Sequence, residues 1–274
     1  MPASAFGLAL TAAFVHALWN VLLARARDPQ AATAVALLVA VTVFAPVAAV
    51  TWDVRSAVWP FLVVSSCLQL LYFVLLAAAY RRVALSVVYP LARGAAPVLV
   101  LAIGVVALGK SSSWGQASGV VLVGAGVLLV RGVRRDREVG AVTYGLAIAC
   151  CIAAYTLIDK HGITHAGPIP YLELTMIVPS LAYASAIVRI RGARGLRSEL
   201  GLGSVAAGIA TFGAYALVLA ALARASAASV AAVRETSVVI AALLAGAALR
   251  EGFRPARLLG AVLVAAGVAL LSLA

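Results

Sequence analysis

Residues 89–110 read YPLARGAAPVLVLAIGVVALGK, and the segment returns in altered form as residues 233–251, VRETSVVIAALLAGAALRE. Each copy places an arginine, Arg93 or Arg234, early in an apolar run that a charged residue closes. The same offset of 141 positions relates residues further along the two copies: Gly119 with Gly260, and Gly126 with Gly267. A shared offset over this length indicates an internal duplication, around which the rest of the chain is organised.

The composition is that of a membrane protein. Hydrophobic residues make up 65% of the 274 residues and charged residues 11%, against roughly 45–50% apolar and 25% charged in a soluble domain. The net charge of +12 is distributed singly or in short clusters between apolar runs, so we predict no nucleic-acid partner. Three cysteines, Cys67, Cys150 and Cys151, lack metal-ligand spacing, and no metal site is predicted.

The apolar runs predict ten transmembrane helices. Most runs are about 16 to 25 residues long, which suits helices crossing a hydrocarbon core of roughly 30 Å. The predicted spans are 3–23, 31–50, 60–79, 84–108, 115–130, 140–158, 171–188, 203–223, 225–249 and 258–273. The duplication divides one membrane domain into two five-helix repeats, 1–133 and 134–274. Because five is odd, the second repeat enters the membrane inverted relative to the first.

Basic residues in the connections predict the orientation of the chain. The connections after odd-numbered spans hold 15 arginines, whereas those on the other side hold 4 basic residues. Positive charge accumulates in cytoplasmic loops. We therefore expect a multi-pass protein of the plasma (inner) membrane, with both termini extracytoplasmic and the lipid bilayer as its surroundings.

Arg93 is the first candidate for a binding site, because charged side chains inside a membrane span are costly. It lies near mid-depth of span 4, on a helix face shared with Tyr89 and Pro97. Pro90 and Pro97 each remove a backbone donor, so we expect this helix to be kinked or locally unwound beside Arg93. An intramembrane arginine serves either a ligand or an acidic partner that fixes helix packing, and both interpretations stay open.

Arg234 is the repeat-related partner of Arg93, and Glu235 follows it directly. Two arginines near the pseudo-twofold axis would attract a carboxylate or phosphoryl group. Glu235 would then neutralise the empty cavity or exchange protons with the substrate. Adjacent helical residues point about 100° apart, so Arg234 and Glu235 need not pair with each other.

Other polar residues within or near the spans complete the candidate set. The predicted substrate-binding residues are His16, Asn20, Tyr72, Tyr89, Arg93, Tyr155, Tyr215, Arg234 and Glu235. Asp159 and Glu173 lie near predicted span ends, where a solvated cap and a charge at a helix N-terminus are the alternative interpretations. We predict no catalytic residues, no enzymatic activity and no cofactor. No connection is long enough to be a soluble domain, and we predict no ATP-binding loop, which favours a secondary carrier.

The chain resembles the drug/metabolite transporter superfamily, specifically its EamA-type ten-helix members, in FVHALWN of span 1, YPLARGAAPVLV of span 4, the ALGK and ALRE ends of spans 4 and 9, and the glycine pattern of spans 5 and 10. The resemblance implies a central cavity lined by spans 1, 3, 4, 6, 8 and 9. Lys110 departs from the acidic residue usual in this family, whereas Glu251 keeps it. The related small multidrug-resistance proteins exchange protons at a glutamate of their first helix, and span 1 contains no acid.

These observations predict a secondary transporter that moves a small metabolite by alternating access. The two arginines favour an anionic or zwitterionic solute, amino-acid-like or an organic anion. Proton coupling is left open, with His16 or Glu235 as the group that would titrate. One alternative is an exporter of cationic or neutral drugs, in which Glu235 would matter more than the arginines. An alternative from another class is a non-transporting membrane enzyme or partner subunit.

Overall fold

Helices form nearly all of the computed structural model, which describes residues 1–82, 85–131, 139–241 and 255–273. Apart from an isolated bridge between Val54 and Ala166, these residues form no strand. The helices are α1 (Ala3–Ala24), α2 (Pro29–Val50), a 3-10 turn (Ser56–Val58), α3 (Trp59–Arg82), α4 (Leu85–Val106), α5 (Trp114–Arg131), α6 (Val139–Gly162), α7 (Pro168–Ser198), α8 (Leu202–Leu222), α9 (Ala227–Arg234) and α10 (Pro255–Leu273). Glu251 and the predicted repeat boundary at 133 and 134 lie outside the described residues.

The helix boundaries follow local chemistry. Asp28 caps α2, since its carboxylate accepts hydrogen bonds from the N–H groups of Gln30 and Ala31 at 3.0 and 3.2 Å, and Pro29 occupies the first helical position. The run named α7 continues past the predicted end of span 7 and changes direction at Gly192, whose φ of 74° is a conformation that favours glycine.

Six of the described helical segments are long and apolar enough to cross a membrane: Ala3–Leu23, Pro29–Val50, Ser56–Ala79, Gly140–Gly162, Pro168–Ser198 and Leu202–Leu222. Large aliphatic side chains such as Val63, Val121 and Val262 are more than half exposed on the outside of the helices. An exposed apolar surface of this kind suits lipid contact and not water. The prediction of an all-α integral membrane fold is confirmed.

Span 9 differs from the single helix that the sequence predicts. α9 ends at Arg234, and Glu235 forms a turn with φ −71° and ψ −9°. Helical backbone resumes at residue 236 and continues to 241, where this described range ends. α4 is one helix from Leu85 to Val106. The interruption expected beside Arg93 therefore lies beside its repeat-related partner, although no proline is present there.

Helix pairing follows the duplication. α2 packs against α7, α4 against α9 and α5 against α10, so these three helices of the first repeat each meet their own equivalent in the second. The α1–α8 contact has its counterpart in α3–α6, and the α3–α7 contact in α2–α8. Exchanging the two repeats therefore reproduces these contacts, as an internal twofold axis requires.

Glycines on α5 and α10 show that the repeats are inverted. A Cβ atom added at Gly119 would lie 2.9 Å from the carbonyl oxygen of Gly267, and one added at Gly126 would lie 2.6 Å from the carbonyl oxygen of Gly260. Positions rise along α5 as they fall along α10, so the two helices are antiparallel. Backbones approach this closely only because neither helix carries side chains at these positions.

Candidate functional site

A cavity of about 130 Å³ lies between the two repeats. An engineered apolar cavity of about 150 Å³ binds benzene, so a space of this size can hold a small molecule. Its polar lining comes from seven helices: His16, Trp19, Thr33, Gln69, Tyr72, Arg93, Tyr155, Thr211, Tyr215 and Arg234. Apolar residues of α2 and α7 also line it. The cavity therefore extends beyond the six helices that the family resemblance implied.

The cavity reaches one end of the helical bundle. Its lining includes Leu23, the penultimate residue of α1, and Thr33, in the first turn and a half of α2. Both residues flank the α1–α2 connection, which carries Arg25 and Arg27. The cavity thus extends from its buried arginines towards the end of the bundle that the arginine count predicts to be cytoplasmic.

Three buried charges meet at the inner end of the cavity. The carboxylate oxygen Oε1 of Glu235 lies 3.3 Å from Nη1 of Arg93 and 3.6 Å from Nη2 of Arg234. Glu235 is fully buried, and the exposed fractions of Arg93 and Arg234 are 7% and 4%. The break in the helix after Arg234 lets the side chains of two adjacent residues meet. One carboxylate oxygen is therefore shared by the two repeat-related arginines.

Part of this charged centre makes no hydrogen bond among the described residues, although Nη2 of Arg234 keeps its 3.6 Å ion pair with Glu235. Among the described residues, Nε and Nη2 of Arg234 and Oε2 of Glu235 are buried and take part in no hydrogen bond. A buried donor left without an acceptor is costly, and more so when it is charged. Arg234 also lines the cavity. Its guanidinium group is thus placed to accept an additional anionic partner from that side.

His16 lies beside Arg93 in the first repeat. Its Nε2 atom is 2.7 Å from Nη2 of Arg93, and its Nδ1 atom is 3.2 Å from the indole nitrogen of Trp19. Asn20, another predicted ligand contact, donates its side-chain N–H to the carbonyl of His16 at 2.7 Å and is not among the lining residues of the cavity. Trp19, which we did not select, is among them.

Tyr155 and Tyr215 line the cavity, with their rings edge-to-face at a centroid distance of 6.2 Å. The Tyr215 hydroxyl donates to Oδ2 of Asp159 at 2.5 Å. Oδ1 of Asp159 accepts from the hydroxyls of Ser65 at 2.5 Å and Tyr171 at 2.8 Å. Asp159 is fully buried, so its interpretation as a solvated cap is wrong. α6 continues to Gly162, past the predicted span end at 158, and this extension places Asp159 inside the fold.

Tyr72 lines the cavity from α3, together with Gln69 one turn earlier. The amide of Gln69 donates to Ser65 at 3.3 Å, which connects it to the Asp159 cluster. The side chain of Tyr89, the remaining candidate, lies outside the described residues.

Glu173 is buried away from the cavity. It lies within the second turn of α7 with an exposed fraction of 5%, and neither carboxylate oxygen has a hydrogen-bond partner among the described residues. Because the helix dipole acts mainly over the first turn and Glu173 lies in the second, its interpretation as a charge at a helix N-terminus is not supported. A buried carboxyl group without a cation or a donor carries a desolvation penalty.

A second cavity, of about 240 Å³, lies towards the other end of the bundle and shares none of the described lining residues of the first. Its lining includes Lys110, Gln116 and Lys160. The Lys160 ammonium donates to the carbonyls of Leu222 and Ala225, and so connects the end of α6 to the α8–α9 connection. The two cavities approach the centre of the bundle from opposite ends.

Residues 104–111, GVVALGKS, match the pattern of a phosphate-binding loop letter by letter. That loop joins a strand to the N-terminus of the helix that follows, so that backbone N–H groups surround the phosphates. Here residues 104–106 are the C-terminal end of α4, and residues 107–113 connect it to α5. The structural context excludes the loop geometry, and we assign no nucleotide site to it.

Comparison with known proteins explains this architecture. The model of the EamA-like transporter family matches residues 3–132 and again residues 139–273. The chain belongs to the EamA-like transporter family. This membership confirms the resemblance inferred from the sequence, and it makes the protein a membrane transporter of small molecules, from a family of transporters and not of enzymes.

Solved structures support the same fold. One crystal structure, described only as "Crystal structure of protein", aligns with a TM-score of 0.79 at 16% identity and covers 100% of this chain and 99% of its own. At that identity the likeness concerns the fold alone. None of the curated proteins compared matches this member of the EamA-like family.

Proposed function

We propose that this EamA-like protein is a secondary transporter that carries a small anionic or zwitterionic solute across the plasma membrane by alternating access. The observation that carries the proposal is Arg234: its guanidinium lines the cavity, is 96% buried, and has two nitrogens without a hydrogen-bond partner among the described residues. Buried charged donors of this kind favour a ligand with a carboxylate or phosphoryl group.

Glu235 contacts the two guanidinium groups that such a ligand would bind, so the ligand would compete with its carboxylate. Its Oε1 atom contacts both arginines, so a solute carboxylate entering the cavity meets guanidinium groups already arranged around one oxygen. When the cavity is empty, Glu235 partly neutralises the arginines. Proton coupling stays a prediction, and in this scheme Glu235 would take up the proton when a solute anion replaces it at Arg93 and Arg234.

The two cavities support alternating access. They extend from opposite ends of the bundle, and the Asp159 cluster and the charged centre are buried in the protein interior. An inverted repeat allows the two halves to exchange conformations, which would close one cavity and open the other. With the α1–α2 connection in the cytoplasm, as the arginine distribution predicts, the cavity that holds the arginines would face the cytoplasm and both termini would be extracytoplasmic.

Ligand binding to purified protein tests the proposal. Apparent melting temperatures in detergent would be measured with amino acids, phosphonates, sugars and cationic drugs, because a ligand of the folded state raises them by mass action. We expect anionic or zwitterionic compounds to stabilise the wild type. Arg234→Gln should weaken their binding roughly 30-fold or more, since losing a buried charged partner costs about 2–5 kcal/mol.

Arg224→Gln is the matched control, because Arg224 is an exposed arginine just after α8 that donates to the carbonyl of Ala220 in the last turn of that helix. It should bind the same compounds as the wild type. Stabilisation by cationic drugs alone, unchanged in Arg234→Gln, would refute the anion site and favour a drug exporter. For any compound that stabilises the wild type, uptake into liposomes that contain the protein would establish transport.

A further inference from the structure

The Asp159 carboxylate is a buried acidic group that the described residues surround with hydroxyl groups. Its Oδ1 atom accepts from Ser65 and Tyr171, and its Oδ2 atom accepts from Tyr215. Among the described residues, no basic side chain forms an ion pair with it. Only hydrogen bonds therefore compensate this charge within the described protein, and a positive charge brought close to it is stabilised.

Tyr215 connects Asp159 with the cavity that the two arginines line. Tyr215 is one of the lining residues of that cavity, whereas Asp159 is not. The single hydroxyl hydrogen of Tyr215 is directed at Oδ2 of Asp159, so its oxygen keeps lone pairs for an additional donor. Hydrogen bonds in a chain polarise one another, which makes this oxygen a stronger acceptor. Tyr215 thus offers a solute an acceptor with a carboxylate directly behind it.

The same cavity offers the opposite chemistry at Arg234. The Nε and Nη2 atoms of Arg234 take part in no hydrogen bond among the described residues, and its guanidinium lines the cavity. Aromatic side chains, among them Tyr155 beside Tyr215, complete the lining, and the faces of aromatic rings attract cations. A ligand that matches both ends carries an anionic group and, separated from it, a positively charged donor.

The formal charges around the cavity point to the same kind of ligand. Arg93 and Arg234 are positive, Glu235 and Asp159 are negative, and all four are buried. Two positive and two negative charges leave this group neutral when no solute is bound. A monoanion adds a negative charge and requires a proton or a cation to accompany it, because an uncompensated buried charge is costly. A zwitterion keeps the balance by itself.

We propose that the solute is a zwitterion whose carboxylate binds at Arg234 and whose ammonium group donates to the hydroxyl oxygen of Tyr215, in front of Asp159. The inference rests on the proposed transport function and narrows its solute class from anions in general to amino acids. Tyr215 is the direct contact of the ammonium group. Asp159 acts through Tyr215 as a positioning residue and as the counter-charge.

Three sets of acids of matched shape test the ammonium site on the purified wild type. Each set places an ammonium, a hydroxyl or a methyl group at the same distance from the carboxylate: glycine, glycolate and propionate; β-alanine, 3-hydroxypropionate and butyrate; γ-aminobutyrate, 4-hydroxybutyrate and pentanoate. Dissociation constants follow from melting temperature against concentration. In the set whose length fits the cavity, the ammonium compound should bind about 10-fold or more tightly than the methyl compound, and more tightly than the hydroxyl compound.

Variants of the cavity wall show whether Tyr215 supplies this preference. Tyr215→Phe keeps the ring and removes the acceptor, so the ammonium and methyl compounds should bind within about threefold of each other, roughly the effect left by one weak hydrogen bond. Asp159→Asn keeps the shape and removes the charge, so the advantage of ammonium over hydroxyl should disappear. The control is Tyr144→Phe, at a tyrosine of α6 that lines neither cavity and accepts from Arg82, where the preference should match that of the wild type.

The outcomes separate this inference from the proposed transport function. If no compound of any set binds the wild type, the anion site and the ammonium site fail together. If all three compounds of each set bind equally and Arg234→Gln weakens them equally, the anion site stands and the ammonium site alone is refuted. An ammonium preference that persists in Tyr215→Phe would also overturn the proposal. The wild-type series is decisive even where Tyr215→Phe does not fold.

Discussion

Glu235→Gln removes the negative charge of the carboxylate that Arg93 and Arg234 share, and it keeps the shape of the side chain nearly constant. In the empty protein Oε1 lies 3.3 and 3.6 Å from the nitrogens of two buried arginines. Breaking a buried ion pair costs about 3–5 kcal/mol because a charge is left without compensation. Glutamine keeps a carbonyl oxygen as an acceptor, so we expect the low end, about 3 kcal/mol, as a loss of stability without ligand.

The same variant should respond more strongly to anions. Its cavity carries one more positive charge, and an added carboxylate can take the place of the lost one. Acetate at 100 times its dissociation constant contributes about 2.7 kcal/mol, which would nearly restore the stability of Glu235→Gln. Apparent melting temperature against acetate concentration, measured in detergent for variant and wild type, gives both quantities.

Glu173→Gln provides the matched control. Glu173 is also buried in a helix, but neither of its oxygens has a hydrogen-bond partner among the described residues. Glu173 makes no ion pair among the described residues, so this substitution removes none, and the variant should match the wild type with and without acetate. The reasoning is refuted if Glu235→Gln has the same apparent melting temperature as the wild type without ligand, or if acetate stabilises Glu235→Gln and the wild type to the same extent.

Two further substitutions test the framework of the site. Gly126→Ala would place a Cβ 2.6 Å from a backbone carbonyl of α10 and should lower stability by about 1–3 kcal/mol through overpacking. Gly213→Ala is the control, because nothing lies within 4 Å of a Cβ added there. Equal melting temperatures of the two variants would contradict the close antiparallel contact between α5 and α10. Tyr215→Phe removes a 2.5 Å hydrogen bond to a buried carboxylate and should cost about 1–3 kcal/mol, also measured by melting. An unchanged melting temperature would show that this hydroxyl is not needed.

Much of the fold could be predicted from the duplication in the sequence. It anticipated the inverted repeat, and it identified Arg93 and Arg234 as equivalent positions that the structure brings to one carboxylate. Those inferences succeeded because charged residues in apolar runs and glycines at a fixed offset can be recognised from the amino-acid sequence alone. The prediction that Arg234 and Glu235 need not meet assumed a regular helix, and the turn at Glu235 removed that assumption.

Other parts of the site depended on tertiary structure. A surface cap was one of the interpretations of Asp159 because it lies near a predicted span end, yet α6 extends past it and three hydroxyls from α3, α7 and α8 surround it. Trp19 was not among the predicted site residues, although it lines the cavity. Its indole nitrogen contacts His16, and this contact depends on ring orientation and leaves no trace in spacing or composition.

The contact between Glu235 and Arg93 also constrains how the chain enters the membrane. A charged residue at the centre of a membrane helix raises the free energy of insertion by about 2.5–3.5 kcal/mol, and Arg93 lies within α4. The two residues are 142 positions apart, so α4 is synthesised long before its counter-charge. We therefore expect the integration of α4 to be completed only when α9 has left the ribosome and pairs with it, so that the second half of the protein acts as the insertion partner of the first.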